Sequence, residues 1–183
     1  MSEELVIGRR KLSKKAQIPA RQSHAGFSII ETGNLVLCLL YFPDKYYCRM
    51  HSTIFIRTSL TPGAGALSFF EANRDIPFEI KRIYYIYNAP QNTQRGAHAH
   101  KELKQLLFCP YGSVKILLDD GREKTEIILD KPDKGLIITP CIWRDMVWLE
   151  ENSVLCAAVS DYYDESDYIR NYDDFRKWIE EHS

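Results

Sequence analysis

From about Ile54 onward the chain is written in short apolar or alternating runs, each about one β-strand long and each closed by a turn signal. The clearest are Ile80–Tyr87, Leu106–Cys109, Ser113–Leu118, Thr125–Leu129, Gly135–Thr139 and Val154–Val159, with turns at Pro62-Gly63, Tyr111-Gly112 and Asp120-Gly121. Strands spaced this closely predict an all-β sandwich or barrel. One hairpin is explicit: Val114–Leu118 runs back as Lys124–Leu129 around Asp120-Gly121, with Val114, Ile116 and Leu118 on one face. The end of the chain changes period. In Asp164–Glu181, Tyr168, Tyr172, Phe175, Trp178 and Ile179 recur at helical spacing behind cap-like Ser166 and Asp167, which predicts a C-terminal α-helix with an aromatic packing stripe.

A length of 183 residues with 45% apolar content suits one compact domain plus an appendage. Residues 1–50 form the expected appendage: they carry a basic opening and one apolar run, Leu35–Phe42, but no catalytic-looking cluster. Residues 51–183 form the expected domain, and Met50 is a conceivable native start. The net charge of −1 offers no field for gripping nucleic acid. The five cysteines are odd in number and make no CxxC pair, so neither a disulfide framework nor a zinc knuckle is indicated. Leu35–Phe42 is far shorter than the ~20 residues of a membrane span. Polar residues separate it from the basic residues before it, against a signal peptide. A cytoplasmic protein is expected.

Chemistry concentrates in Gln94-Arg95-Gly96-Ala97-His98-Ala99-His100-Lys101, which holds two of the five histidines. On a strand His98 and His100 share one face, with Ala97 and Ala99 on the other. Small alanines predict a tightly covered outer face and leave the imidazoles to line a cavity. Such a pair can equally be two satisfied histidines, or the start of a metal site.

The spacing distinguishes these readings. After His100 come four residues, Gln105, six residues and Gly112, a frame that resembles the first motif of the cupins with the ligand carboxylate replaced by an amide. The second motif, Gly135–Asp145, carries no histidine after Pro140. Two nitrogen ligands are too few for a closed or catalytic zinc-type site, so no metal is expected. Two imidazoles in a metal-free cavity are suited to carrying protons, since histidine titrates nearest neutrality and can both take and return a proton in one turnover. A sugar keto–enediol shift needs that sequence of transfers, and a phenol of the Tyr84-Tyr85 pair could relay protons between the oxygens.

Three blocks in order, Ile76–Ile86, Arg95–Lys101 and Ser160–Arg170, resemble the dTDP-4-oxo-6-deoxy-D-glucose 3,4-ketoisomerases, cupins of the WxcM-like group that serve the synthesis of unusual deoxy sugars for surface polysaccharides such as O-antigen. The resemblance covers about residues 54–180. It implies a cupin-type jelly roll (a double-stranded β-helix), a homodimer, no cofactor or metal, and a dTDP-linked 4-keto-6-deoxyhexose as substrate. It further implies His100 as principal base, His98 as its partner, Tyr85 as relay and Arg95 as a substrate or diphosphate contact, with Gln105, Trp143 and Arg144 also on the substrate. The chain departs from the family at Ala97, where a Phe is usual, and at Trp143-Arg144, where Trp-His is usual. Competing expectations are a dTDP-sugar epimerase, which pairs one histidine with an Asp and a Tyr and fits the two-histidine segment less well, and a non-catalytic sugar-nucleotide-binding cupin, which would not need proton carriers.

Overall fold

A computed structural model describes residues 51–182, together with the backbone of two strands, β1 (Phe27–Thr32) and β2 (Leu35–Leu40). The chain divides into two units, Met1–Tyr41 and Phe42–Ser183. In the first, β1 and β2 pair as an antiparallel hairpin from Phe27↔Leu40 to Thr32↔Leu35, so the apolar run read at Leu35 is a strand. Met50 lies outside the described residues.

The second unit is a jelly roll. Its strands are β3 (His51–Phe55), β4 (Arg57–Thr61), β5 (Gly65–Phe69), β6 (Arg82–Ile86), β7 (Gln94–His100), β8 (Gln105–Tyr111), β9 (Val114–Asp119), β10 (Lys124–Leu129), β11 (Lys134–Ile138), β12 (Trp143–Trp148), β13 (Val154–Val159) and β14 (Tyr168–Ile169), followed by helix α1 (Tyr172–Glu181). They form two five-stranded antiparallel sheets, ordered β10-β9-β12-β7-β14 and β3-β11-β8-β13-β6, with β4-β5 as a separate hairpin. The expected β9–β10 hairpin is present, from Val114↔Leu129 to Asp119↔Lys124. No helix among the described residues is long and apolar enough to cross a membrane.

Alternation explains how the sheets close on each other. Val114, Ile116 and Leu118 on β9, Met146 and Trp148 on β12, and Leu155, Ala157 and Val159 on β13 all bury into one cluster between the sheets. The outward residues of the first sheet meet α1: Ala99, Trp143 and Cys141 pack against Ile169, Phe175 and Ile179. Outside the second sheet, Leu106, Ile137 and Ala158 are covered by Ile76 and Phe78 from the segment before β6.

The helix is shorter than its periodicity suggests. Glu165–Asp167 is a single 3-10 turn, Tyr168–Ile169 is a strand paired with His100 and Ala99 of β7, and α1 begins only after Asn171, whose side chain caps the N–H groups of Asp173 and Asp174. Tertiary bonds decide this. The carboxylate of Asp167 accepts from the N–H groups of Lys101 and Glu102, which ties the segment to the end of β7 and keeps the 3-10 turn from continuing as an α-helix.

Candidate active site

Between the sheets, β6, β7, β8, β12 and β14 bring a group of polar side chains together: Tyr84, His98, His100, Gln105, Arg144 and Tyr168. A β-bulge in β7 sets their direction. His98 pairs with Arg144 and Gly96 with Asp145, so Ala97 is an extra residue without an opposite number. Gly96 (φ 104°) and Ala97 (φ 53°) both take positive φ, and the Ala97 N–H donates to Oδ1 of Asp145 at 3.0 Å. A Cβ at Gly96 would stand 2.6 Å from the Arg144 carbonyl oxygen, so only glycine fits there. The bulge keeps His98 and Arg95 on one face of β7 on either side of it, because their partners, Arg144 and Met146, both point inward.

The two imidazoles stand edge to face, 5.0 Å apart between ring centres, with the Tyr168 ring 4.3 Å from His100 and 5.1 Å from His98. Each ring is held through Nδ1. In His100, Nδ1 lies 2.7 Å from Oδ2 of Asp167; in His98, Nδ1 lies 3.0 Å from the Gly96 carbonyl. A carboxylate and a carbonyl can only accept, so in both rings the network assigns the proton to Nδ1 and the lone pair to Nε2. Nε2 of His100 is buried and makes no protein hydrogen bond. Burial, reinforced by the Arg144 charge, lowers the His98 pKa to about 4. The same two causes, with His98, Arg82 and Arg170 adding to them, hold His100 well below the usual imidazole range. Both rings are therefore neutral bases at physiological pH.

Opposite them, Gln105 on β8 is buried and donates from Nε2 to the Tyr84 hydroxyl at 3.0 Å, which leaves that O–H free to donate onward. Burial raises the Tyr84 pKa, so the phenol stays protonated. Arg144 is 1% exposed, and none of its three guanidinium nitrogens has a hydrogen-bond partner. Burial pulls its pKa down to about 10, so it remains a cation at neutral pH. Cupin sites commonly take a metal, but these residues do not fit one. The position of the ligand carboxylate is an amide, a fixed cation sits beside the imidazoles, and no group of three or more His, Cys, Asp or Glu able to hold a metal exists among the described residues.

Of the residues singled out from sequence, His98, His100, Gln105 and Arg144 come together in the buried polar group, and Arg95 is exposed on the same face of β7. Two do not join them. Tyr85 is 62% exposed and turns away from the histidines, because on β6 the half-buried alternates that pack against the core are Tyr84 and Ile86; Tyr84 takes the place expected for Tyr85. Trp143 alternates with inward Arg144 and lies on the outer face, stacked edge-on with Tyr172 at 5.2 Å and donating to Asp145 at 3.3 Å. There it lines an open concavity of about 680 Å³ with Asp119, Asp145 and Tyr172, on the far side of the sheet from the histidines. Ala99 is fully covered, as its size suggested, whereas Ala97 is exposed on this outer face. Asp167 and Tyr168 were missed as site residues because helical spacing hid a strand.

A sequence profile described as "FdtA: WxcM-like, C-terminal" matches residues 48–180. A TDP-4-oxo-6-deoxy-alpha-D-glucose-3,4-oxoisomerase from Aneurinibacillus thermoaerophilus is 48% identical over 115 residues, 63% of this chain and 83% of that protein. Among solved structures, a 3,4-ketoisomerase from Helicobacter canadensis is 42% identical with a TM-score of 0.69, covering 71% of this chain and 97% of that one. A sugar 3,4-ketoisomerase from Thermoanaerobacterium thermosaccharolyticum, solved in complex with TDP, is 41% identical with a TM-score of 0.70, covering 74% of this chain and 96% of that one.

Proposed function

The chain belongs to the FdtA family of WxcM-like proteins, and from that premise we propose that it moves the keto group of a TDP-linked 4-keto-6-deoxyglucose from C4 to C3. It is an isomerase, and its relatives favour this reading over an epimerase or a non-catalytic binding cupin. The single observation that carries the chemistry is the pair of neutral imidazoles, each tied at Nδ1 with its Nε2 lone pair free.

The reaction is a net exchange of two protons. His100 Nε2 removes the proton on C3, α to the C4 carbonyl; the C–H pair forms C3=C4 and the carbonyl pair retreats to O4. The hydroxyl proton on O3 passes to O4, for which the Tyr84 phenol offers a relay. A histidine then returns a proton to C4 as the O3 pair closes the C3 carbonyl. His98, 5.0 Å away between ring centres, serves as partner in these transfers. Arg95, at the open end of β7, suits the diphosphate, since a guanidinium donates paired hydrogen bonds to phosphate oxygens. No step calls for an external oxidant or reductant.

We also infer a homodimer. The β4-β5 hairpin joins neither large sheet and exposes Leu60 and Leu67, while edge strand β6 exposes Ile83 and Tyr85, apolar surface that a second copy would cover. Light scattering on the eluting protein tests it.

Incubation with TDP-4-keto-6-deoxyglucose in D₂O tests the activity. Proton NMR is expected to show the keto group at C3 and deuterium at C4. Deuterium at C3 or C5 with the keto group still at C4 would make the protein an epimerase, and a substrate left with its keto group at C4 and no deuterium would make it a binding protein.

A further inference from the structure

Arg144 has an arrangement that a structural arginine does not have. It is wholly buried on β12, directly opposite His98 on β7, and all three guanidinium nitrogens lack a partner. Among the described residues, the carboxylate that acts on its charge is that of Asp167. Asp167 is already committed, with Oδ2 on His100 and Oδ1 on two backbone N–H groups. The Oε1 of Gln105 is also buried without a partner in the same group. A desolvated cation whose donors are all unused is costly to keep, and it also depresses both histidines. Such a group is preorganised for negative charge that arrives only with the reacting molecule.

Resting on the ketoisomerase reading, we propose that Arg144 is a catalytic residue that clamps the enediolate through both of its oxygens. When C3–H is removed the charge lies on O4; after the hydroxyl proton crosses, it lies on O3. The two oxygens sit on adjacent carbons of one planar double bond and point the same way from the ring. A planar guanidinium offers two parallel N–H donors, which span such a pair as they span a carboxylate. One fixed fork therefore stabilises the charge before and after it migrates, whereas a single donor would serve only half of the reaction. The substrate ketone carries little charge on these atoms, so the interaction strengthens on the way to the transition state and raises kcat rather than affinity.

The test compares wild type with Arg144→Met and Arg144→Lys in three measurements: keto transfer, loss of the C3 proton of TDP-4-keto-6-deoxyglucose to D₂O, and TDP affinity by calorimetry. Arg144→Met is expected to lose about 10²–10³-fold in kcat, the usual consequence of removing an oxyanion donor. Exchange at C3 should fall in parallel and TDP affinity should stay within a few-fold. Arg144→Lys, which keeps the charge without the fork, is expected to recover only part of the rate. A methionine variant within a few-fold of wild type overturns the clamp. So does a loss of TDP affinity that matches the loss of rate, which would assign Arg144 to the nucleotide. If the methionine variant does not fold, a lysine variant with full activity overturns the bidentate role by itself. Wild-type protein that leaves the substrate untouched would refute the ketoisomerase reading, whereas an active wild type with an equally active variant refutes the clamp alone.

Discussion

Nδ1 of His100 lies 2.7 Å from Oδ2 of Asp167, and the other oxygen of that carboxylate accepts from the N–H groups of Lys101 and Glu102. One side chain thus fixes the end of β7 to the turn before β14 and sets the tautomer of the base. The geometry is that of a base oriented by a third group, familiar from hydrolytic triads, applied here to proton abstraction from carbon.

Asp167 is therefore a positioning residue, and Asp167→Asn separates its two tasks. The amide oxygen can still accept from the backbone N–H groups. Its NH₂ would face Nδ1 and favour the tautomer with the proton on Nε2, the wrong atom for a base. A fall in kcat of about 10²–10⁴-fold, the range of general-base contributions, is expected with unchanged TDP affinity. A purely structural aspartate would instead show losses in melting temperature and TDP binding with kcat intact.

The pH profile of kcat/KM follows from the direction of the shifts. Both imidazoles must be neutral to act, and burial beside Arg144 lowers His98 to about 4 and His100 well below its ordinary value. The profile is expected to be flat from pH 6 to 8, with its acid limb below the ~6.5 of an ordinary histidine. Stability has the same sign. Between about pH 4 and 6.5 the unfolded chain binds the His98 proton and the native protein does not, so native stability falls as the pH drops through that window. Urea titrations at pH 5 and 7 read this directly, and equal midpoints would contradict a neutral buried His98.

Tyr84 and Tyr85 are neighbours in sequence on opposite faces of β6, so a pair of conservative substitutions distinguishes them. Tyr84→Phe removes the hydroxyl bonded to Gln105 at 3.0 Å and is expected to slow keto transfer at least ~10²-fold while leaving TDP binding intact. Tyr85→Phe alters a side chain 62% exposed on the outer face and is expected to stay within about two-fold of wild type as a catalyst. The reverse pattern would restore Tyr85 as the relay.

The strands and the histidine pair were legible because alternation and turn residues are local signals. The β9–β10 hairpin and the covering of Ala99 both follow from period two. What was misread depended on pairings between distant segments. Tyr168 and Asp167 read as helix because the Tyr168, Tyr172 and Phe175 spacing is helical, yet bonds to residues 99–102 hold them extended or in a tight turn. The choice between Tyr84 and Tyr85 is a one-residue phase on a strand, and Trp143 suffers the same ambiguity beside Arg144. Phase is set by the partner strand, which a single segment does not reveal.

The Gly96-Ala97 bulge aims His98, and its two residues are expected to respond oppositely to exchange. Ala97 holds φ 53° with its Cβ exposed, a conformation that costs an L-residue about 1–2 kcal/mol, against roughly 0.5–1 kcal/mol for the greater chain entropy of glycine. Ala97→Gly is thus expected to stabilise the fold by about 0.5–1 kcal/mol and leave kcat unchanged, because the bond from its backbone N–H to Asp145 survives. Gly96→Ala places a methyl 2.6 Å from the Arg144 carbonyl oxygen, a backbone atom that cannot step aside. Relief would push β7 away from β12 and shift the Gly96 carbonyl, the acceptor for His98 Nδ1. Loss of melting temperature together with loss of kcat is expected there. Chemical denaturation and steady-state rates on the two variants check both claims, and an Ala97→Gly protein less stable than wild type would mean that the bulge draws its stability from contacts of the alanine methyl.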